Sequence, residues 1–420
     1  MKSSTVAYIH FITFTLVLAF FGCLFFIMPH QNVSIFEKRK LCSFPRFTSQ
    51  SLFKGRYTDS LDLFVADNFP FRDQLVAVSF GMKNKRGIQS DQVSFYANSV
   101  DDQVPPTADT MATKVDSTAV TVVDSTAQND IHKSDGLLIY NGMAIQMFGG
   151  NRPIARRYAN LVNKFYEKYK GQAKVYVAIT PTHGEFCLPE NYKTYYVSER
   201  KNIDSLYSYL KPEVHQVDVY SQLQKHKDEY IFFNTDHHWT GLGAYYAYSA
   251  FCTEAGLTAL RLDEMEKRTI PNFLGSLYWL TRDPKLKEHV DSVVYYKSPV
   301  STSALGGKSL DKMSKAYVWV DYAKGVNSYG VYLGNDYPVM KVETGVKNSR
   351  KALVIKNSYG NPFSTYLVSN FQQVFIVDYR YYNGSLKKLI TENGITDIVF
   401  ISPTFSANTQ WHVGRLESVL

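Results

Sequence analysis

The stretch that best predicts the fold is Ala352-Leu353-Val354-Ile355-Lys356-Asn357-Ser358-Tyr359-Gly360-Asn361-Pro362. Its first four residues are apolar, which predicts a buried strand. The Asn, Gly and Pro residues behind the strand indicate a tight turn that contains Ser358. Ligands of open α/β sheets bind at the carboxyl ends of the strands, and Ser358 is predicted to lie at such an end.

Strands and helices alternate on both sides of this stretch. Buried strands are predicted at 174–181, 352–356, 374–378 and 396–401, and helices at 153–170, 362–370 and 384–393. The alternation predicts an α/β domain over residues 135–420, with a mostly parallel sheet flanked by helices. Residues 260–345 instead alternate in a strand-like way and are rich in Gly and turns. We therefore expect a β-rich antiparallel insertion there.

The N-terminus carries a membrane signal. From Val6 to Met28 the chain is almost continuously apolar, which is long enough for a helix to span a bilayer. Because no small-x-small cleavage site follows, we predict that residues 1–30 are a transmembrane signal anchor and that the body lies outside the cytoplasm. Residues 31–100 would then be a membrane-proximal segment. Residues 101–134 are rich in Ser, Thr and Asp, which predicts a low-complexity linker or loop.

Charge and cysteine usage exclude several classes of protein. The net charge is +8, but Lys and Arg are spread along the chain and form no dense basic run with interleaved aromatics. We therefore expect no nucleic-acid partner, whereas an anionic membrane or an acidic polysaccharide would attract such a chain. The four cysteines are widely scattered and form no CxxC pair, so neither disulfides nor a zinc site of that kind should organise the fold.

A second motif, Thr235-Asp236-His237-His238-Trp239-Thr240, contains the residues that a serine nucleophile needs. A serine hydroxyl is a poor nucleophile until a base removes its proton, and the base needs an orienting acid. Ser358, His238 and Asp236 can fill these roles, which predicts a serine esterase or acyltransferase. Two simpler interpretations stay open: an ordinary turn around Ser358, and Thr235 or Asp236 as the N-cap of the following helix.

Backbone donors and a metal ion are the other candidates for chemistry. The N–H groups of Ser358 and Gly360, near the start of the next helix, are candidate oxyanion-hole donors. A metal is the alternative use of His237 and His238, with His183 as a further ligand. Consecutive histidines point in different directions in extended chain, so sharing one ion is difficult. We predict neither a metal nor another cofactor.

Several segments resemble the bacterial DHHW protein family. They are Asp236-His237-His238-Trp239, Asn357-Ser358-Tyr359-Gly360 and Phe69-Pro70-Phe71-Arg72-Asp73, and the segments 273–278 and 333–338 are also similar. That family is similar to the alginate O-acetylation proteins, whose catalytic domain is SGNH-hydrolase-like. The resemblance covers most of the chain after the anchor and implies an SGNH-hydrolase-like fold.

The resemblance also implies roles for individual residues. In the acetylation proteins an Asp-x-His-Trp motif supplies acid and base, and a later serine is the nucleophile. The same roles here would fall to Asp236, His238 and Ser358, in the permuted order acid, base, serine. His237 would occupy the variable position and have no catalytic role.

Three more residues are candidates for oxyanion or substrate binding. Asn357 stands where related proteins often have an acidic or small residue, and its amide can donate a hydrogen bond. Asn361 is a second candidate, because the other SGNH oxyanion donors have no clear counterpart. Arg380 lies between tyrosines after another predicted strand and can bind a sugar or carboxylate. A surface ion pair beside packed aromatics explains Arg380 equally well.

Residues and resemblance together predict an exported, membrane-anchored O-acyltransferase. The acyl group would be acetyl, and the substrate would be an envelope or secreted polysaccharide. A membrane-bound O-acyltransferase would be the partner that supplies the acyl groups. Two alternatives remain open at this level: a carbohydrate acetylesterase of the same fold, and a non-catalytic glycan-binding protein of envelope assembly.

Overall fold

The chain divides into two compact units, residues 1–89 with 102–119, and residues 90–101 with 120–420. The computed structural model describes residues 3–30, 33–34, 39–53, 56–72, 74–75, 78, 93–97, 121–123, 136–334 and 336–420. Most of the predicted linker at 101–134 therefore lies outside the described residues, as do Asp73 and Asn335.

The first unit begins with the helix Ser3–Ile27. Its portion Tyr8–Ile27 is long and apolar enough to cross a membrane, a test that a signal sequence also passes. Strands β1 (Val33–Ser34) and β2 (Arg39–Lys40) follow and pair antiparallel. The helices Ser49–Phe53 and Arg56–Asp67 come next in this unit.

The second unit starts with a small antiparallel sheet. Its strands are β3 (Val93–Ala97), β4 (Thr121–Val123), β5 (Gly136–Tyr140) and β6 (Met143–Gln146), in the order β4-β3-β5-β6. Strands β3 and β4 come from the stretches predicted as membrane-proximal segment and linker. Both are tied to this unit because β3 pairs with β5.

The remaining strands build the centre of the second unit. They are β7 (Lys174–Thr180), β8 (His215–Gln216), β9 (Glu266–Phe273), β10 (Asp291–Lys297), β11 (Thr302–Ser309), β12 (Lys312–Ala316), β13 (Val339–Thr344), β14 (Lys351–Lys356), β15 (Gln373–Asp378) and β16 (Asp397–Pro403). Eight of them form one sheet in the order β12-β11-β13-β15-β14-β16-β7-β8. Strands β15, β14, β16, β7 and β8 run parallel.

The sheet is mixed rather than mostly parallel, because the insertion joins it. Strand β13 pairs antiparallel with β15, and β11 and β12 extend the sheet antiparallel beyond it. Among the described residues of the predicted insertion, β9 and β10 form a separate antiparallel sheet. The insertion is therefore partly built into the central sheet.

Helices cover both faces of the sheet. Their bounds in this unit are Arg152–Tyr169, His183–Cys187, Glu199–Tyr207, Val219–Lys225, Gly241–Glu254, Ser276–Thr281, Gly360–Tyr366, Leu386–Asn393, Thr404–Ala407 and Gln410–Val419. Short 3-10 helices span Glu190–Tyr195, Leu262–Glu264, Pro284–Lys287, Gly325–Val331 and Leu367–Ser369. Alternate residues of β14 enter two separate cores: Ala352 and Val354 one, Leu353 and Ile355 the other.

Candidate active site

Two helices bring the serine and the histidine motif together. The helix Gly241–Glu254 begins just after the motif, and the helix Gly360–Tyr366 begins just after Ser358. They pack against each other through Phe251 and Phe363, whose ring centres lie 5.9 Å apart, and Tyr366 donates its hydroxyl to the carbonyl of Gly241 at 2.7 Å. These contacts hold the two helices together, and a hydrogen bond of 2.9 Å from Trp239 Nε1 to the carbonyl of Tyr359 joins the residues just before their starts. Segments 120 residues apart therefore meet at the carboxyl end of β14.

Asp236, His238 and Ser358 form a continuous chain of hydrogen bonds. His238 Nε2 lies 3.0 Å from Ser358 Oγ, and His238 Nδ1 lies 2.6 Å from Asp236 Oδ1. A carboxylate accepts, so the proton belongs on Nδ1 and leaves Nε2 to accept from the serine hydroxyl. All three side chains are buried, with 1% exposure for Asp236, 5% for His238 and 8% for Ser358.

The insertion holds Asp236 in place. Asp236 Oδ2 accepts from the backbone N–H of Ser276 at 2.7 Å, and Oδ1 also accepts from the N–H of His238 at 3.0 Å. The neighbouring Thr235 accepts from the N–H of Gly275 at 2.8 Å and donates to Asp291 at 2.5 Å. The sequence shows no local sign of these supports beyond the resemblance of the segment 273–278 to the family.

The structure decides which residue caps the helix that follows the motif. Thr240, and neither Thr235 nor Asp236, caps the helix Gly241–Glu254, since its side chain accepts from the N–H of Gly243 at 3.3 Å. Thr235 and Asp236 are therefore both engaged elsewhere, in the contacts with the insertion.

His237 lies beside the base instead of pointing away from it. The ring centres of His237 and His238 are 3.8 Å apart, and His237 Nδ1 lies 2.7 Å from Ser276 Oγ. The expected divergence of consecutive histidines is wrong here, because this segment is not extended strand. Donor atoms of Asp236, His237 and His238 lie within 4.8 Å of one another, close enough to hold a metal. An ion bound there would compete with the hydrogen bonds of His238 to Asp236 and Ser358.

Two aromatic side chains contact the turn and the base. Trp239 Nε1 donates to the carbonyl of Tyr359 at 2.9 Å. Tyr329 stacks on His238 with ring centres 4.1 Å apart and 18° between the planes, and its hydroxyl donates to the carbonyl of Ser358 at 3.0 Å. No sequence signal had marked Tyr329.

The predicted oxyanion donors are largely engaged within the fold. The N–H of Gly360 is not free as expected, since it donates to the carbonyl of Asn357 at 3.0 Å. Asn357 Nδ2 donates to Ser406 Oγ at 2.9 Å, and Asn361 Nδ2 donates to Asp336 Oδ1 at 3.1 Å. The N–H of Ser358, by contrast, makes no hydrogen bond to any described residue.

Arg380 belongs to a buried ion cluster. Its Nε lies 3.0 Å from Asp378 Oδ1, and its Nη2 lies 2.8 Å from Asp378 Oδ2 and 3.0 Å from Asp336 Oδ2. Lys356 Nζ adds a contact of 2.9 Å to Asp378. The ion-pair interpretation therefore holds for Arg380, in a buried rather than a surface setting.

A second buried polar group lies at the same edge of the sheet. Glu199 accepts from the N–H of Thr182 at 3.0 Å and from its hydroxyl at 2.7 Å, and also from the hydroxyls of Tyr196 and Thr404. Burial raises the pKa of Glu199 to about 7. The nearby His183 is also buried, and burial lowers its pKa to about 4, so it is neutral at neutral pH.

Two solved structures share this architecture. A DHHW family protein from Eubacterium siraeum is 32% identical, with a TM-score of 0.63 over 69% of this chain and 97% of that chain. PatB1 from Bacillus cereus, solved with a sulfonyl adduct, shares the fold at 18% identity, with a TM-score of 0.56 over 66% of this chain and 97% of that chain. The O-acetyltransferase domain of Pseudomonas putida AlgJ is more distant, at 13% identity and a TM-score of 0.35 over 63% of this chain and 90% of that chain.

A family model and a solved structure both show the family of this chain. No curated protein sequence matches it. The family model described as DHHW protein matches residues 37–140 and 96–377, which together span most of the chain. The solved family member from Eubacterium siraeum agrees with that match. The resemblance predicted from the motifs is therefore confirmed, and the chain belongs to the DHHW protein family.

Proposed function

We propose that this chain is an exported, membrane-anchored, SGNH-hydrolase-like O-acyltransferase, which transfers acetyl groups to a cell-envelope or secreted polysaccharide. The observation that carries the proposal is the hydrogen-bonded chain from Asp236 through His238 to Ser358, with distances of 2.6 and 3.0 Å. A nucleophile, a base and an orienting acid in contact are what acyl transfer through serine requires.

The first half of the reaction loads the enzyme. Ser358 Oγ attacks the carbonyl carbon of the acyl donor while its proton passes to His238 Nε2. The tetrahedral intermediate collapses, the bond to the donor breaks, and the leaving group takes the proton from Nε2. An acyl-Ser358 ester remains.

The second half transfers the acyl group. A sugar hydroxyl gives its proton to His238 Nε2 as its oxygen attacks the acyl carbon. The bond to Ser358 Oγ then breaks, and Oγ regains the proton from Nε2. Water in place of the sugar hydroxyl would produce free acetate instead, so exclusion of water from the site separates a transferase from an esterase.

Two groups stabilise charge during both halves. Asp236 keeps the Nδ1 proton in place and stabilises the imidazolium, while its other oxygen is fixed by Ser276. The N–H of Ser358 is the proposed oxyanion donor, because the described residues offer it no other acceptor. Gly360 is not proposed for this role, since its N–H is already engaged in the turn.

The N-terminal helix supports the proposed location. Its apolar portion Tyr8–Ile27 would anchor the chain in the membrane, with the second unit outside the cytoplasm. A membrane-bound O-acyltransferase would supply acyl groups there. PatB1, which shares the fold, has been solved with a sulfonyl adduct, and this suggests a sulfonyl fluoride as a probe of the serine.

Labelling with phenylmethanesulfonyl fluoride, followed by peptide mapping, tests the nucleophile. Ser358 should carry the label, and Ser358→Ala should abolish it. Ser364→Ala is the matched control, because Ser364 lies in the next helix with its hydroxyl bonded to the carbonyl of Gly360 at 2.7 Å. That variant should label like the wild type. A wild-type chain that is labelled elsewhere, or not at all, contradicts the proposal.

An acceptor assay decides between transfer and hydrolysis. Para-nitrophenyl acetate serves as donor, with and without a panel of neutral, amino and acidic oligosaccharides. Acetylated oligosaccharide that depends on Ser358 supports the transferase, and acetate alone supports the acetylesterase. If the protein is folded but forms neither product, a non-catalytic glycan-binding role is favoured.

A further inference from the structure

Tyr329 contacts both the base and the nucleophile. It lies in the 3-10 helix Gly325–Val331, which precedes β13, and only 5% of it is exposed. Its ring stacks on His238 at 4.1 Å, and its hydroxyl donates to the carbonyl of Ser358 at 3.0 Å. One side chain from the insertion therefore contacts two segments that lie 120 residues apart in sequence.

The ring contact completes the restraint on the imidazole. Hydrogen bonds to Asp236 and Ser358 fix His238 within its own plane. They leave tilting out of that plane less restrained, and a ring stacked on the flat face opposes such tilting. The face of an aromatic ring is also electron-rich, which favours the imidazolium that forms when His238 takes the serine proton.

The hydroxyl contact fixes the peptide that follows the nucleophile. The carbonyl of Ser358 accepts from Tyr329 and from the N–H of Asn361, the latter at 3.1 Å. The N–H at the other end of this peptide, that of Tyr359, donates to Asn357 Oδ1 at 3.1 Å. With both ends bonded, the peptide plane cannot rotate without breaking hydrogen bonds, and the direction of the Ser358 side chain is set.

The hydroxyl of Tyr329 keeps its proton across the neutral range of pH. Burial is the largest cause that raises the pKa of Tyr329 well above its ordinary value of 10.0, followed by the charge of Asp236. The group therefore remains a donor to the carbonyl of Ser358 across the neutral range, and its contribution to geometry does not depend on pH there.

We propose that Tyr329 is a positioning residue that aligns His238 with Ser358. The inference rests on the proposed function of the triad. Tyr329 stacks on the face of the imidazole and bonds to the backbone carbonyl of Ser358, so it acts through these two partners. Its loss should therefore slow the chemical step and leave substrate binding nearly unchanged.

Two substitutions separate the two contacts. Tyr329→Phe removes only the hydrogen bond, and kcat for para-nitrophenyl acetate should fall about 3- to 10-fold. Tyr329→Leu also removes the ring, and the total decrease should reach about 10- to 100-fold. In both variants KM should stay within about twofold, because the binding contacts are untouched.

Tyr332 provides the matched control. It belongs to the same segment, its ring centre lies 5.4 Å from that of Tyr329, and its buried hydroxyl donates to a backbone carbonyl, that of Val294, at the same 3.0 Å. Tyr332→Phe should lower the unfolding temperature about as much as Tyr329→Phe does, but it should leave kcat unchanged. Equal losses of kcat in the two variants would reduce Tyr329 to a purely structural residue and overturn the inference.

A thermal-unfolding cycle keeps this inference distinct from the proposed function. His238→Ala should lower the unfolding temperature less in a Tyr329→Leu background than in the wild type, because the two rings stabilise each other. Additive shifts would contradict the coupling, whatever the activity. Shifts of the unfolding temperature that are not additive would support the coupling of the two rings. If the same protein is neither labelled at Ser358 nor able to hydrolyse the ester, the coupling stands while the proposed function is rejected.

Discussion

Replacing Gly275 by alanine should displace Asp236, the acid of the proposed triad. A Cβ atom built on Gly275 would lie 2.2 Å from Asp236 Cβ and 2.7 Å from its Cα. The contact involves the backbone of Asp236, so rotation of a side chain cannot relieve it. To reach 3.4 Å, where ordinary contact begins, either Asp236 or the 273–277 segment must move by about 1.2 Å.

The conformation of Gly275 does not itself oppose alanine. Its φ of −85° and ψ of −171° are extended backbone that any residue adopts. With no clash, alanine would stabilise the fold by about 0.4–1 kcal/mol, because it restricts the unfolded chain. The clash reverses that sign, and overpacking of this kind costs about 1–3 kcal/mol.

The effect on catalysis should be larger than the effect on stability. A shift of about 1 Å in a positioning group costs on the order of 10²-fold in rate, because the hydrogen bonds from Asp236 to His238 and Ser276 lose their geometry. The assay is kcat/KM for para-nitrophenyl acetate, measured on Gly275→Ala together with its unfolding temperature.

Gly414 provides the control for this experiment. It lies in the helix Gln410–Val419, and a Cβ atom there would meet nothing within 4 Å. Gly414→Ala should keep full activity and gain about 0.5–1 kcal/mol of stability. If Gly275→Ala keeps kcat/KM within twofold of the wild type, the insertion does not hold the acid in the way described.

Two further predictions concern carboxylates. Asp236→Asn should keep the fold but lower kcat on the order of 10⁴-fold, because an amide favours the wrong tautomer of His238; a decrease under tenfold in steady-state assays would contradict a triad. Glu199 has its pKa raised from 4.5 to about 7 in the folded chain, so the folded state keeps a proton that the unfolded state loses between these values. The free energy of unfolding should therefore fall by about 3 kcal/mol as pH rises from 4.5 to 7. In urea unfolding, Glu199→Gln should abolish this pH dependence. An unchanged pH dependence would assign it to another group.

Local patterns in the sequence were sufficient to predict the residues of the candidate site. Ser358 follows an apolar run that forms β14, and the acid and base are only two positions apart, so their contact is a local matter. The helices and parallel strands also follow from local periodicity, since burial on one or both faces leaves a repeat in the chain.

The hydrogen-bond and ion-pair partners of individual polar groups could not be predicted in the same way. The N–H of Gly360 was expected to be free, yet the turn closes on it through the carbonyl of Asn357. For Arg380 the residue pattern is equally compatible with a substrate contact and an ion pair, and the structure shows ion pairs with Asp378 and Asp336. Both outcomes depend on which acceptor lies nearest in space, and a residue type alone does not specify this.

The sequence by itself determined the α/β class, the family, the apolar N-terminal helix, and the serine, histidine and aspartate of the candidate site, because each leaves a local pattern. Only the tertiary structure decided that Ser358 meets His238, since that contact depends on two helices packing across 120 residues of chain. Only the tertiary structure also decided that the insertion extends the sheet and supplies Gly275, Ser276 and Tyr329 around the triad. Contacts between distant segments come from packing and hydrogen-bond satisfaction over the whole fold, and these leave no periodic trace in the chain.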